Sequence, residues 1–120
     1  MAVLSHEGTY PIMYGSYPVP VGAGYRRGYL ARPDRAGRFP VVIVVPDLNG
    51  LSSFEKDICR TFARHGIAAL SIDMYRNRTG DPIYDYNSLS DRQAMTDLDE
   101  VRDFLASGDI TWTDADAVGM

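Results

Sequence analysis

Lysine and cysteine each occur once in this 120-residue chain, as Lys56 and Cys59, and the only histidines are His6 and His65. A single cysteine excludes an internal disulfide framework and fits a reducing compartment, so a cytoplasmic protein is expected. Cys59 falls within a predicted helix and reads as a buried structural thiol. Two histidines far apart in sequence cannot make the H-E-x-x-H arrangement, which needs two imidazoles one helical turn apart. His6-Glu7 therefore starts no zinc motif, and neither a metal nor another cofactor is expected. No apolar run approaches the roughly 18 residues that span a bilayer, so no membrane partner is expected. The opening MAVLSHEGTY has no apolar core of the signal-peptide kind. Asn77-Arg78-Thr79 matches the glycosylation acceptor pattern, which matters only in an exported chain. Positive charge is also scarce: 12 Lys and Arg against 16 Asp and Glu leave a net charge of −4. Nucleic acid is an unsuitable partner, because neutralising phosphates needs a basic face, and Arg26-Arg27 or Arg76/Arg78 are too small to make one.

What is present is ordinary for a soluble globular chain: 45% hydrophobic and 23% charged residues. The length suits one domain, covering residues 1–120. Residues 6–14 and 25–31 are strand candidates separated by a Pro/Gly-rich turn region, YPVPVGAG. VVIVV at 41–45 is the strongest strand signal, and its continuous apolar character predicts cover on both faces. A helix follows, capped by Ser52 or Ser53, with Glu55 and Asp57 at the positive end of its dipole. Phe54, Ile58, Thr61, Phe62 and Ala63 form its predicted apolar stripe, His65 suits its last turn, and Gly66 stops it. IAALSID (67–73) is a second buried strand, 74–89 reads as loop, and Ser90–Ala106 as a second helix. Met95, Leu98, Val101, Phe104 and Leu105 share one side of that helix, and Ser107-Gly108 ends it. DADAVGM begins another strand. The alternation predicts an α/β fold: a mostly parallel sheet with helices on both faces and an antiparallel N-terminal edge.

Three patterns carry less than they first suggest. Gly22, Gly24 and Gly28 have the wrong spacing for a dinucleotide fingerprint and precede a strand instead of a helix. The acidic run Asp97, Asp99, Glu100 and Asp103 reads as a solvated helix face, because it lacks the calcium-loop pattern. Asp47 differs. It follows VVIVV and leads through Leu48-Asn49-Gly50 to a helix N-terminus, where ligands gather in parallel sheets and backbone N–H groups can face a developing oxyanion. Its position fits a functional role and a turn-capping role equally.

VVIVVPDLNGLSSFEKDICRTFARHGIAALSIDMYR resembles the dienelactone hydrolase family of α/β-hydrolases: an apolar strand, an acidic residue, a short loop to Gly, a helix ending in Gly, and an A-x-x-x-D-[LM]-Y strand. GYLARPDRAGRFP is similar to the approach to that strand, and TDLDEVRDFLASGDITWTDADAVGM to the next helix and strand entry. The resemblance covers about residues 24–120 and rests on the order of several weak motifs. It implies hydrolysis of a small ester or lactone through an acyl-enzyme, with a Cys or Ser nucleophile on a G-x-[CS]-x-G-G elbow, a His base and an orienting Asp.

By the same resemblance, Asp47 matches the family's acidic residue after the third strand, usually Glu, with about 1.5 Å less reach. The Leu48 N–H matches one half of the oxyanion hole. Asn49, Tyr75 and Arg76 are the implied substrate-side residues, while Asp73 matches the strand-end Asp and is expected to be structural. Val118-Gly119-Met120 would lead into the elbow, so these residues read as an incomplete N-terminal portion of the domain, inactive alone, without the nucleophile or its Asp and His. Cys59 lies in the wrong element to replace the nucleophile. A portion ending in a strand that belongs mid-sheet is expected to be marginally stable and to self-associate, or to take a complementing chain, through its sheet edge. The alternatives are a non-catalytic α/β binding or regulatory module, for instance receiver-like, and one half of a split hydrolase. Receivers need a late Lys, which is missing here.

Overall fold

The computed structural model describes residues 10–22, 24–46, 51–74 and 89–120. Seven strands and two long helices occur among them, in the order β1 (Ile12–Ser16), β2 (Val19–Val21), β3 (Gly24–Arg26), β4 (Gly28–Pro33), β5 (Phe39–Val44), α1 (Ser53–Arg64), β6 (Ala68–Ile72), α2 (Asp91–Leu105) and β7 (Thr113–Gly119). Five strands make one sheet in the order β1-β4-β6-β5-β7. The pairs β5/β6 and β5/β7 are parallel, whereas β4 is antiparallel to both β1 and β6. Four strands thus run one way and β4 alone is reversed, so the sheet is mostly parallel with an antiparallel N-terminal edge.

The helices lie on opposite faces. Leu98, Val101 and Leu105 of α2 pack with Leu30, Val41, Ile43, Leu70 and Ile72 in the larger core. Cys59 and Ala63 of α1 pack with Tyr29, Ala31 and Ala69 in the smaller one. The buried stripe of α1 is therefore Glu55, Cys59 and Ala63; it keeps Ala63 of the predicted stripe, with Ile58 and Phe62 half-buried, and is rotated away from Phe54 and Thr61. Phe54 is 67% exposed and Thr61 is exposed. Close approach explains the rotation: Cys and Ala let the helix backbone sit on the small side chains of β4 and β6, which Phe54 would prevent. On α2, Met95 is likewise exposed, and Phe104 is only partly buried.

VVIVV is covered unequally. Phe39, Val41 and Ile43 are buried on the α2 face, while Val42 and Val44 are half-buried on the other. The cause is the placement of α1 over β4 and β6, where it barely reaches β5. The YPVPVGAG region, expected to be a turn, contains a short antiparallel ribbon, with Val19 opposite Arg26 and Val21 opposite Gly24. Val19 and Val21 enter the α2-face core, and that burial outweighs the cost of Pro20 in a two-stranded ribbon with free edges. Gly22, at φ 63°, makes the turn, and its N–H donates to Glu100 Oε2 of α2 at 2.6 Å.

Other endings follow the sequence closely. Gly66 adopts φ 92°, and the N–H groups of His65 and Gly66 donate to the Phe62 and Ala63 carbonyls. Gly108, at φ 85°, similarly closes α2. His65 is exposed at the C-cap of α1, with Nδ1 2.8 Å from the Thr61 carbonyl oxygen. No helix among the described residues is long and apolar enough to cross a membrane.

Candidate active site

After β5 the chain crosses over α1 to β6 on one side of β5, then crosses over α2 to β7 on the other side. The strand order reverses at β5, and the crevice beyond the carboxyl ends of such strands is where open α/β sheets take ligands. The segments leaving β5 and β6 begin side by side, because Val44 is the register partner of Ser71. The segment after β5 reaches the N-terminus of α1 within a few residues. All five predicted site residues, Asp47, Leu48, Asn49, Tyr75 and Arg76, lie outside the described residues, as does His6. What the structure provides is the framework from which those segments emerge.

The α1 end of that framework is fixed by a buried acid. Glu55, within the first turn of α1, is 2% exposed. Its Oε2 accepts from the Ser52 N–H at 3.1 Å and also from the Ser52 hydroxyl. The S-x-x-E capping box thereby satisfies donors at the start of the helix and pins the point where the loop from β5 joins it. Glu55 stands at the positive end of the helix dipole, as expected, and is buried in line with Cys59.

The end of β6 is held by a second buried acid–base cluster. Asp73 donates its N–H to the Arg27 carbonyl at 2.8 Å, and its own carbonyl accepts from Arg26 Nη1 at 3.1 Å. Arg26 Nη2 meets the Asp97 carboxylate, whose Oδ1 also accepts from Gln93 Nε2 at 2.8 Å. Arg26 thus ties the strand end that leads into Tyr75 and Arg76 to α2 and to the β2/β3 ribbon. The predicted structural role for Asp73 agrees with these bonds. Asp97 corrects the expectation of a solvated acidic face, because it is fully buried. A carboxylate can leave water only when paired, and the guanidinium supplies that pair. No local pattern could have announced it, since the partners stand 71 residues apart.

Beside this cluster lies a cavity of about 380 Å³, bounded by Ser16, Tyr17, Tyr25 to Tyr29, Leu51 and Lys56. Gly28 is required at its floor. A Cβ there would overlap the Tyr17 carbonyl oxygen and stand 3.3 Å from that of Ser71. Arg60 bonds the Tyr29 hydroxyl at 2.7 Å, and burial raises the Tyr29 phenol above its usual range, partly offset by Arg60.

Cys59 is no candidate nucleophile. It is fully buried under the sheet, and burial pushes its thiol up to about 12, with the Arg60 charge opposing and Glu55 adding to the rise. Among the described residues no group of three His, Cys, Asp or Glu side chains converges on a point where a metal ion could sit.

The sequence profile of the dienelactone hydrolase family matches residues 26–113, from the clamp arginine to the first residue of β7. The chain belongs to the dienelactone hydrolase family. A Yersinia pestis protein named "Putative carboxymethylenebutenolidase" is 34% identical over 103 residues, covering 76% of this chain and 38% of the relative. A Bradyrhizobium protein named "Probable 2-oxo-3-(5-oxofuran-2-ylidene)propanoate lactonase" is 32% identical over 87 residues, covering 67% of this chain and 35% of that one. Among solved structures, one titled "Putative Dienelactone Hydrolase" from Klebsiella pneumoniae superposes with a TM-score of 0.77 at 26% identity, over 92% of this chain and 50% of that chain. The dienelactone hydrolase fold therefore accounts for the sheet order and both helices. The chain spans about two fifths of the length of these curated relatives and half of the Klebsiella structure.

Proposed function

We propose that these residues build the oxyanion-side wall of an ester- or lactone-hydrolysing site that works through an acyl-enzyme. The observation that supports this reading is the reversal of strand order at β5, since Asp47 and Leu48 follow β5 in the sequence and precede the pinned start of α1. In this scheme the Leu48 N–H donates to the carbonyl oxygen as it becomes an oxyanion. Asp47 lies beside the nucleophile's position and biases its ionisation. Asn49, Tyr75 and Arg76 face the small-molecule substrate.

In this scheme the nucleophile, its Asp and its His are supplied by other elements of the domain, and the 120 residues alone are inactive. Turnover requires the nucleophile elbow, Asp and His, whether on the same polypeptide or on a complementing one. Among the described residues β7 pairs with β5 alone. Its outer edge is where further strands, a second copy or a complementing chain would add.

The test is hydrolysis of p-nitrophenyl acetate, by the 120 residues alone and with the remaining domain elements supplied. Background rates alone, and a burst with a covalent acyl adduct once complemented, are expected. In the complemented enzyme, Leu48→Pro removes the N–H and should lower kcat by about 10²–10³-fold. Full turnover by the 120 residues alone, or an unaffected Leu48→Pro enzyme, would refute the scheme.

A further inference from the structure

The cavity beside the clamp is a second place where a ligand could bind, and its composition is selective. Among the described residues no carboxylate lines it, whereas Arg26, Arg27 and Lys56 do. Arg26 is already neutralised by Asp97. Arg27, 80% exposed, has only a 3.9 Å approach to Asp73. The Lys56 ammonium has no ion pair among the described residues and stands 5.6 Å from the centre of the Tyr29 ring. Two cations without close compensation therefore face one concavity. Aromatic surface accompanies them: Tyr29, held by Arg60, and Tyr25, left 76% exposed at the rim.

The volume lies at the small end of ligand pockets, about 300–1,000 Å³, and suits a single ring with its substituents. Its β4 lining, Gly28 and Tyr29, pairs with Ile72 and Ser71 of β6, so β6 separates the cavity from β5. Two strand spacings, about 10 Å, separate its β4 wall from β5, and Leu51 and Lys56 form its wall on the α1 side.

We propose that this side pocket binds a planar aromatic or unsaturated monocarboxylate, with the carboxylate between Lys56 and Arg27 and the ring against Tyr25 and Tyr29. The proposal is argued from residues other than Asp47 and Leu48, so it can fail without the oxyanion assignment failing, and the reverse.

The experiment is a heteronuclear NMR titration of the 120-residue chain with benzoate, benzamide and inorganic phosphate. Benzoate should shift the amides of Arg27, Gly28, Tyr29 and Lys56, with benzamide and phosphate each at least tenfold weaker. Lys56→Gln and Arg27→Gln should each weaken benzoate fivefold or more, and added salt should weaken it further. Tyr25→Ala, which removes only an exposed ring, should weaken benzoate while leaving the circular dichroism spectrum unchanged. Equal binding of benzoate and benzamide, phosphate as tight as benzoate, or variants that bind like the unmodified chain would each overturn the proposal.

Discussion

Replacing Asp97 with Ala tests whether the Arg26 clamp holds the fold together. The substitution strands a guanidinium that is 5% exposed. It also removes the acceptor for Gln93 Nε2, leaving Arg26 only the Asp73 carbonyl at 3.1 Å. Removing one partner of a buried pair costs about 3–5 kcal/mol, against under about 1 kcal/mol for an exposed pair. Urea unfolding followed by circular dichroism reads the difference. With an m value near 2 kcal/mol/M, a loss of about 3 kcal/mol lowers the midpoint by about 1.5 M. Arg26→Met should cost a similar amount, because it takes the guanidinium away from a fully buried carboxylate. The Arg26→Met/Asp97→Leu double variant should recover most of the loss, since hydrophobic replacements of a buried pair are often neutral or stabilising. Arg26→Lys should recover little, because one ammonium cannot span both the Asp73 carbonyl and Asp97. Midpoint shifts below about 0.5 M in both single variants, or strictly additive losses in the double variant, would refute the reasoning.

Two further outcomes follow from buried groups on or under the sheet. Ser71 is fully buried on β6, and its hydroxyl has no hydrogen-bond partner among the described residues, so Ser71→Ala should stabilise the chain by about 1 kcal/mol in the same urea experiment. Cys59 should resist a disulfide reagent at pH 8 in the folded chain and react promptly in urea. Its folded pKa, about 12, exceeds the unfolded value of about 8.5. The folded chain therefore holds the thiol proton longer, and the stability present below about pH 8.5 is lost progressively as pH rises towards 12.

Elements whose signal is local were legible from the chain. VVIVV, the glycine stops at Gly66 and Gly108, and the Ser90 cap, which accepts from the Gln93 N–H at 3.1 Å, all depend on neighbours within a turn or a strand. What failed depended on distant partners. The face of α1 was set by the small side chains of β4 and β6, so the predicted stripe kept Ala63 but gave up Phe54 and Thr61 in favour of Cys59. Asp97 looked like its acidic neighbours, yet Arg26 draws it inside while Asp99 stays at the surface beside Arg102. The β2/β3 ribbon was hidden because Pro20 and the flanking glycines mimic a plain turn, and only burial of Val19 and Val21 against α2 makes it a strand pair. Of the residues that stiffen the mouth of β5, the Ser52 cap with Glu55 was readable locally, and the Arg26–Asp97 pair was not.

The two faces of the sheet also differ in when they can close during synthesis. The α1-face cluster draws its fully buried members from Tyr29 to Ala69, so it can assemble before α2 has been made. The α2-face cluster reaches from Val19 to Trp112 and must wait for the last strand. Until then, Val41, Ile43, Leu70 and Ile72 present an apolar surface to solvent on a half-built sheet. The emerging chain thus passes through a one-faced intermediate, the kind of species that chaperones retain and that aggregates when they do not. Because Arg26 finds Asp97 only when α2 docks, the clamp that frames the candidate site cannot form before the α2 face begins to close.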